Sequence, residues 1–306
     1  MHNKRTIVAR SFIRFMRRYP WLSGIWWCLG LCFLYSGMAA AEVSTIPSDV
    51  STIPPEITPA IPSLTLYTQL FPPLQMMSEG DTITGFVAET VREMLQEARK
   101  DTPLEVAPIT VIPWKRALFF AEKESNVLVF SLSRTPERED KYIWIGTVAP
   151  YSLSFYKLRS REDIQASNEA ELKGKGYRIG SQIGSSMEEY LKRHGFGEGV
   201  EGTVVDSINE NQRNIPRLYR GYIDLIMFSD YSIRHRACDQ GLNPNVIEKL
   251  FTVPELSTDL WLVASKQTDE QLIVKLQQAL EKVKNDGRHE RLMAKYFAQW
   301  QQAGCP

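Results

Sequence analysis

Histidine and cysteine are scarce in this chain, with four of each among 306 residues. Cys28 and Cys32 fall in an N-terminal leader-like stretch, which leaves Cys238 and Cys305 for the body. His235 and Cys238 have a spacing a metal site can use, but two ligands do not make a site, so no metal is expected. Catalytic motifs are lacking too: there is no HExxH, GxSxG, Walker phosphate loop or dinucleotide glycine fingerprint. Their absence removes several enzyme classes and implies no cofactor, while leaving acid–base work by carboxylates open. An excess of one charge is missing as well, with 36 basic and 36 acidic side chains. That balance hides an asymmetry. Residues 1–41 carry Lys4, Arg5, Arg10, Arg14, Arg17 and Arg18 and no acid, so the remainder holds 30 basic against 36 acidic groups. A body at −6 argues against nucleic acid as a partner.

What is present begins with an export signal. The basic start precedes the uncharged "WLSGIWWCLGLCFLYSGM" and then the small residues "AAAE", so 1–41 reads as a signal peptide cleaved after Ala41. The stretch is also about long enough to serve as an uncleaved membrane anchor. Either way the body lies outside the cytoplasm, where Cys238 and Cys305 can pair or stay apart. Residues 42–63 follow as a proline-punctuated heptad, "VSTIPSD", "VSTIPPE", "ITPAIPS". Proline at that density blocks helix and sheet pairing and predicts an extended linker.

From "LTLYT" onward strands and helices alternate, which predicts an α/β protein with largely parallel sheets. "GFVAETVREMLQEARK" carries Val87, Val91, Met94, Leu95 and Ala98 on one helical face. "NVLVF" and "IDLIMF" are apolar strands, "SSMEEYLKRHG" is a helix closed by Gly195, and 269–285 is a long helix with a Leu272–Leu276–Leu280 stripe. Two similar blocks joined by crossing segments imply two lobes and a cleft. The first lobe spans 64–154 and 252–303, the second 155–251, with hinge strands near 151–158 and 249–256.

Three constellations carry chemistry. In "FSLSRTPERED", Ser131, Ser133 and Arg138 can form a carboxylate receptor, hydroxyls at a strand end beneath a planar guanidinium fork. The same "TPERED" also fits a solvated helix start with Pro136 in the first turn. In "GSQIGSSMEEY", a glycine turn before a helix N-terminus offers backbone amides to an anion, with Ser185 or Ser186 adding a hydroxyl; simple N-capping is the plainer alternative. Tyr67, Phe71 and Trp114 sit at strand ends where rings can sandwich a ligand, or can simply be core.

Together "GFVAETV", "FSLSRTPERE", "LKGKGYRIGSQIGSS", "GYIDLIMFSD" and "DGRHERLMAKYF" resemble the bacterial extracellular solute-binding protein family 3, over about 64–300. The resemblance implies a two-lobed periplasmic binding protein type II fold with two crossing hinge strands. It implies a monomer that closes on a small carboxylate-bearing solute, foremost a polar amino acid, and hands it to an ABC permease. By position Arg138 takes the carboxylate-binding arginine's place, Ser131 and Ser133 the hydroxyls, Ser185 and Ser186 the second lobe's helix start, and Phe71 the stacking aromatic. The family's ammonium-binding acids are less well matched. Gln69 stands nearest the first, and the second falls at Ser229, so either a one-residue shift makes Asp230 the ligand-binding acid or the acid is lost. A sensor input or a dehydratase-like enzyme on the same fold are the alternatives the resemblance leaves.

Overall fold

A computed structural model describes residues 61–197 and 203–302. The expected signal at 1–41 and nearly all of the expected linker at 42–63 lie outside the described residues. In chain order the elements are β1 (Ser63–Thr68), β2 (Met76–Met77), β3 (Ile83–Thr84), α1 (Phe86–Ala98), β4 (Glu105–Val111) and α2 (Trp114–Lys123). Then come β5 (Val127–Ser133), β6 (Tyr142–Ala149), β7 (Leu153–Leu158), β8 (Arg178–Gln182), α3 (Ser186–Arg193), β9 (Val204–Ile208) and α4 (Asn214–Tyr219). The last are β10 (Leu225–Ser229), α5 (Ile233–Asp239), β11 (Ile247–Thr252), β12 (Leu260–Ser265), α6 (Glu270–Asn285) and α7 (Arg288–Gln302).

Two five-stranded sheets organise the chain, in the orders β4-β1-β5-β12-β6 and β11-β7-β10-β8-β9. The two orders are equivalent: in each sheet four strands run one way and one, β12 or β7, runs against them between two of the others. The sheets are therefore mixed rather than largely parallel. The reason is topological: the strand by which the chain enters or re-enters a lobe, β7 or β12, runs against those built from strand–helix–strand units. The chain leaves the first sheet after Ala149 and returns to it at Leu260, so β7 and β11 are the paired strands that border the crossing. Ser257 ties the two crossings together, its Oγ accepting from Leu153 N at 3.0 Å.

Each sheet is covered on both faces, which explains why its central strands are apolar throughout. In β5, Leu128 and Phe130 enter one core with α1 and α6, while Val127 and Val129 enter the other with α2. Strict alternation would put Leu132 with Phe130. Instead it joins Val129, because the pairing with β12 slips at Ser131, whose φ is +63°. A bulge with one left-handed residue turns the strand end over. β10 alternates likewise, with Leu225 and Met227 on one face and Ile226 and Phe228 on the other. Among the described residues no helix is long and apolar enough to cross a membrane. Cys238 is disulfide-bonded; Cys305, its candidate partner from the sequence, lies outside the described residues.

Candidate functional site

A cavity of about 390 Å³ lies between the two sheets' lobes. Its first-lobe wall is Gln69, Leu70 and Phe71 after β1 and Val111–Trp114 at the end of β4. Its second-lobe wall comes from Gln182 at the end of β8, 209–212 after β9, Phe228 and Ser229 in β10, Ser232 just before α5 and Arg236 on it. Most of these segments follow the C-terminal ends of strands, where α/β sheets leave room for ligands. The lobes touch across it: Gln182 Nε2 donates to Gln69 Oε1 at 2.9 Å.

Phe71 and Trp114 stand in the wall, as their strand-end positions suggested. Phe71 is braced edge-on by Tyr151 at 5.8 Å and stacked by Tyr231 at 5.9 Å. Tyr67 does not line the cavity. It packs against Phe120 at 5.3 Å, beside the α2 core.

Arg138 also stands apart from this wall, in a deeper contact between the lobes. Its guanidinium is 2% exposed and lies against Glu189 of α3. Nε and Nη2 donate to Glu189 Oε1 at 3.1 and 3.0 Å, Nη1 donates to the Ser133 carbonyl at 3.2 Å, and Nη2 donates to the Gly184 carbonyl at 3.1 Å. The fork expected of this arginine thus grips a carboxylate that belongs to the protein. Thr135 donates to the other oxygen of Glu189 at 3.2 Å, and Ser186 donates to Ser133 at 3.2 Å. Ser131 Oγ accepts a hydrogen bond from Gln75, within the first lobe. The segment after Ser133 is a run of turns rather than a helix start.

The start of α3 is likewise occupied from within. Ser185 caps it by accepting from Glu188 N at 3.2 Å, while Glu188 reaches back to accept from Gly184 N at 2.8 Å. This reciprocal arrangement resembles a capping box and uses amides that an anion could have taken. Contacts at the other end of α3 also cross the cleft: Arg193 bridges Glu137 of the first lobe and Glu255 in the second crossing.

Gln69 and Ser229, the positions that match the family's ammonium-binding acids, both reach the cavity, and both are neutral. Asp230 is adjacent in sequence but is not on the wall. Its carboxylate accepts from Ser152, Tyr156 and Lys249, each at 2.7 Å. β10 ends at Ser229, and the turn that follows directs the Asp230 carboxylate to those donors, so a shift of one position carries the acid away from the cavity. Burial raises the Asp230 pKa, but the bonds from Lys249, Ser154, Ser152 and Tyr156 outweigh it and hold the carboxyl below its ordinary range. Glu210 is the acid of the wall; it is exposed and ion-paired with Arg213 at 3.4 Å. Among the described residues no group of three or more His, Cys, Asp or Glu side chains is placed to hold a metal ion.

Sequence reasoning missed Glu189 and Arg236. Glu189 reads as a surface acid in "SSMEEY". Arg236 sits in a seven-residue helix too short to show a period, although Ser232 and Arg236 are one turn apart.

Comparison with solved structures gives the same two-lobed architecture. A mutant of ArgBP from T. maritima aligns with a TM-score of 0.62 at 18% identity, over 77% of this chain and 95% of that one. A histidine kinase sensor domain with similarity to periplasmic binding proteins aligns at 0.65 and 13%, over 76% and 95%. An ancestral amino-acid-binding protein, a precursor of cyclohexadienyl dehydratase, aligns at 0.59 and 16%, over 77% and 95%. At these identities the likeness is one of fold, the periplasmic binding protein type II fold. Comparison with curated proteins returns no matching sequence. The model of one family matches residues 65–299, nearly all of the two lobes. The chain belongs to the bacterial extracellular solute-binding proteins, family 3.

Proposed function

We propose that this protein is a periplasmic receptor that captures a small carboxylate-bearing solute, foremost a polar amino acid, and presents it to an ABC permease. The carrying observation is the cavity of about 390 Å³ walled by both lobes. That size suits a solute of amino-acid dimensions, and the mix of aromatic rings with amide side chains suits a polar one. Because neither lobe completes the wall alone, a bound solute favours the closed arrangement over an open one. Phe71 and Trp114 supply the apolar wall in this reading, while Arg138, Ser133 and Ser186 act by joining the lobes. Ser131 and Ser185 hold local structure, Tyr67 is core, and Asp230 stiffens the crossing. The leader at 1–41 exports the chain and the linker at 42–63 tethers a monomeric body. Binding proceeds without chemical conversion, since the acid of the wall, Glu210, is already ion-paired at the rim.

Thermal unfolding of the protein against the common amino acids, their carboxamides and small carboxylates tests the reading. A ligand at about 100 times its dissociation constant stabilises by roughly 2.7 kcal/mol. For a chain of this size that is on the order of 5–10 °C in midpoint. A flat panel would refute the proposal.

A further inference from the structure

We infer that the solute's carboxylate is anchored by the second lobe, on Arg236 with Ser229 and Ser232, rather than by Arg138. The inference rests on the receptor reading above and names the ligand-holding groups of the same cavity.

Three side chains carry it. Ser229 and Ser232 are 2% and 1% exposed and both reach the cavity; the Ser232 hydroxyl has no hydrogen-bond partner among the described residues, and that of Ser229 has only the buried Tyr231 hydroxyl beside it. A buried hydroxyl left unpaired is costly, so Ser232, beside a second serine that only another buried hydroxyl approaches, marks a place for a ligand's oxygens. Beside them, the Arg236 side chain is 16% exposed and its ion pair is a loose one, 3.9 Å to Asp239, which is 53% exposed. A pair of that length on a wet helix surface compensates a buried guanidinium poorly. Burial accordingly pulls the Arg236 pKa below its ordinary range, against the smaller lift from Asp239.

Backbone bonds place the three together. Ser232 N donates to the Ser229 carbonyl at 3.2 Å, and Arg236 N donates to the Ser232 carbonyl at 2.9 Å, so the hydroxyl and the guanidinium share one face of α5. Arg138 has a single N–H left over. A guanidinium carries five N–H groups, and here four bonds to Glu189, Ser133 and Gly184 are already made. With Gln69 and Ser229 neutral and Glu210 paired, the wall's uncompensated charge is positive, which selects an anion. The chemistry that satisfies a planar guanidinium and two hydroxyl donors at once is a carboxylate.

The test is calorimetric titration with three matched pairs: L-phenylalanine and its amide, L-glutamine and its amide, and 3-phenylpropanoate and 3-phenylpropanamide. For a binding acid, the amide is expected to bind at least about 30-fold more weakly. In Arg236→Gln the acid falls to the level of its amide, so the discrimination disappears. Ser232→Ala, a smaller change, is expected to weaken the acid about fivefold and leave the amide unaffected. Unliganded Arg236→Gln should melt no lower than wild type, because it removes a poorly paired charge. An amide that binds as tightly as its acid, or an acid–amide difference that survives Arg236→Gln, overturns the Arg236 anchor while leaving the receptor standing. Failure of all three acids, together with a flat thermal panel, overturns the receptor reading and the anchor with it.

Discussion

Replacing Glu189 by Gln is the sharpest perturbation of lobe closure. The substitution keeps the shape and one acceptor oxygen but removes the charge that faces Arg138. In the closed arrangement Arg138 is 2% exposed and Glu189 22% exposed, and both oxygens of the carboxylate are used. Charge-assisted hydrogen bonds contribute about 1.5–3 kcal/mol each, but opening the lobes returns both groups to water and recovers part of that. The net loss to the closed state is therefore about 2 kcal/mol, roughly 30-fold in the closed-to-open ratio. If the closed form binds solute, apparent affinity falls in proportion to its population, again by up to about 30-fold. Small-angle scattering of the unliganded protein reads the population through the radius of gyration, and titration calorimetry reads the affinity. An unchanged radius with unchanged affinity would refute the latch. Tighter binding of a carboxylate by Glu189→Gln would refute it differently, showing that Glu189 withholds Arg138 from the solute.

Two further substitutions probe the scaffold. At Gly85, φ is +114° and an added Cβ would sit 2.4 Å from the backbone oxygen of Leu74. Gly85→Ala is therefore expected to cost about 3 kcal/mol, read as a drop on the order of 6–12 °C in melting midpoint; a drop below about 2 °C would contradict the steric argument. Glu97 joins α1 to α6 and α7 through Lys100, Lys282 and Arg288. Its bonds to Lys100 and Lys282, against burial, bring its pKa from 4.5 down to about 2. A carboxyl depressed in the fold stabilises above its ordinary pKa and loses that contribution as pH falls through its folded value. Urea midpoints should thus decline between pH 4.5 and 2, and Glu97→Gln should flatten that slope; equal slopes in the two proteins would count against it.

How much of this was legible beforehand follows from the range of each interaction. The helices 86–98 and 270–285 were readable because their apolar stripes repeat locally, and the cleft because paired blocks must meet somewhere. The bulge at Ser131 was not readable. "VLVFSLS" is buried at every position, so no alternation exists to show where it slips. The chemistry of Arg138 was legible and its partner was not, since Glu189 lies 51 residues away and only tertiary docking selects it among the acids of α3. Arg236 was hidden for the opposite reason. Its helix has seven residues, and the spacing Ser229, Ser232, Arg236 has meaning only once β10 is known to end at Ser229. The end of β10 decides Asp230 in the same way: Ser229 closes the strand at the cavity, and Asp230 begins the turn that leads its carboxylate elsewhere.

Separating the latch from the cavity changes what a solute must do. In a cleft whose arginine waits for the ligand's carboxylate, closure and recognition share one set of bonds. Here Arg138–Glu189 and Arg193–Glu137 join the lobes through the protein's own groups, with no ligand atom in the contact. On the receptor reading proposed above, those contacts must stay close to balance with the open state. A latch worth several kcal/mol would hold the empty protein shut, and closure would no longer report the solute. The one-fifth exposure of Glu189 and the exposed setting of Glu255 keep the cross-lobe charges partly wet, which is the condition for a small net value. The deciding term then falls to the unpaired groups of the cavity wall, whose cost is relieved only by an occupant.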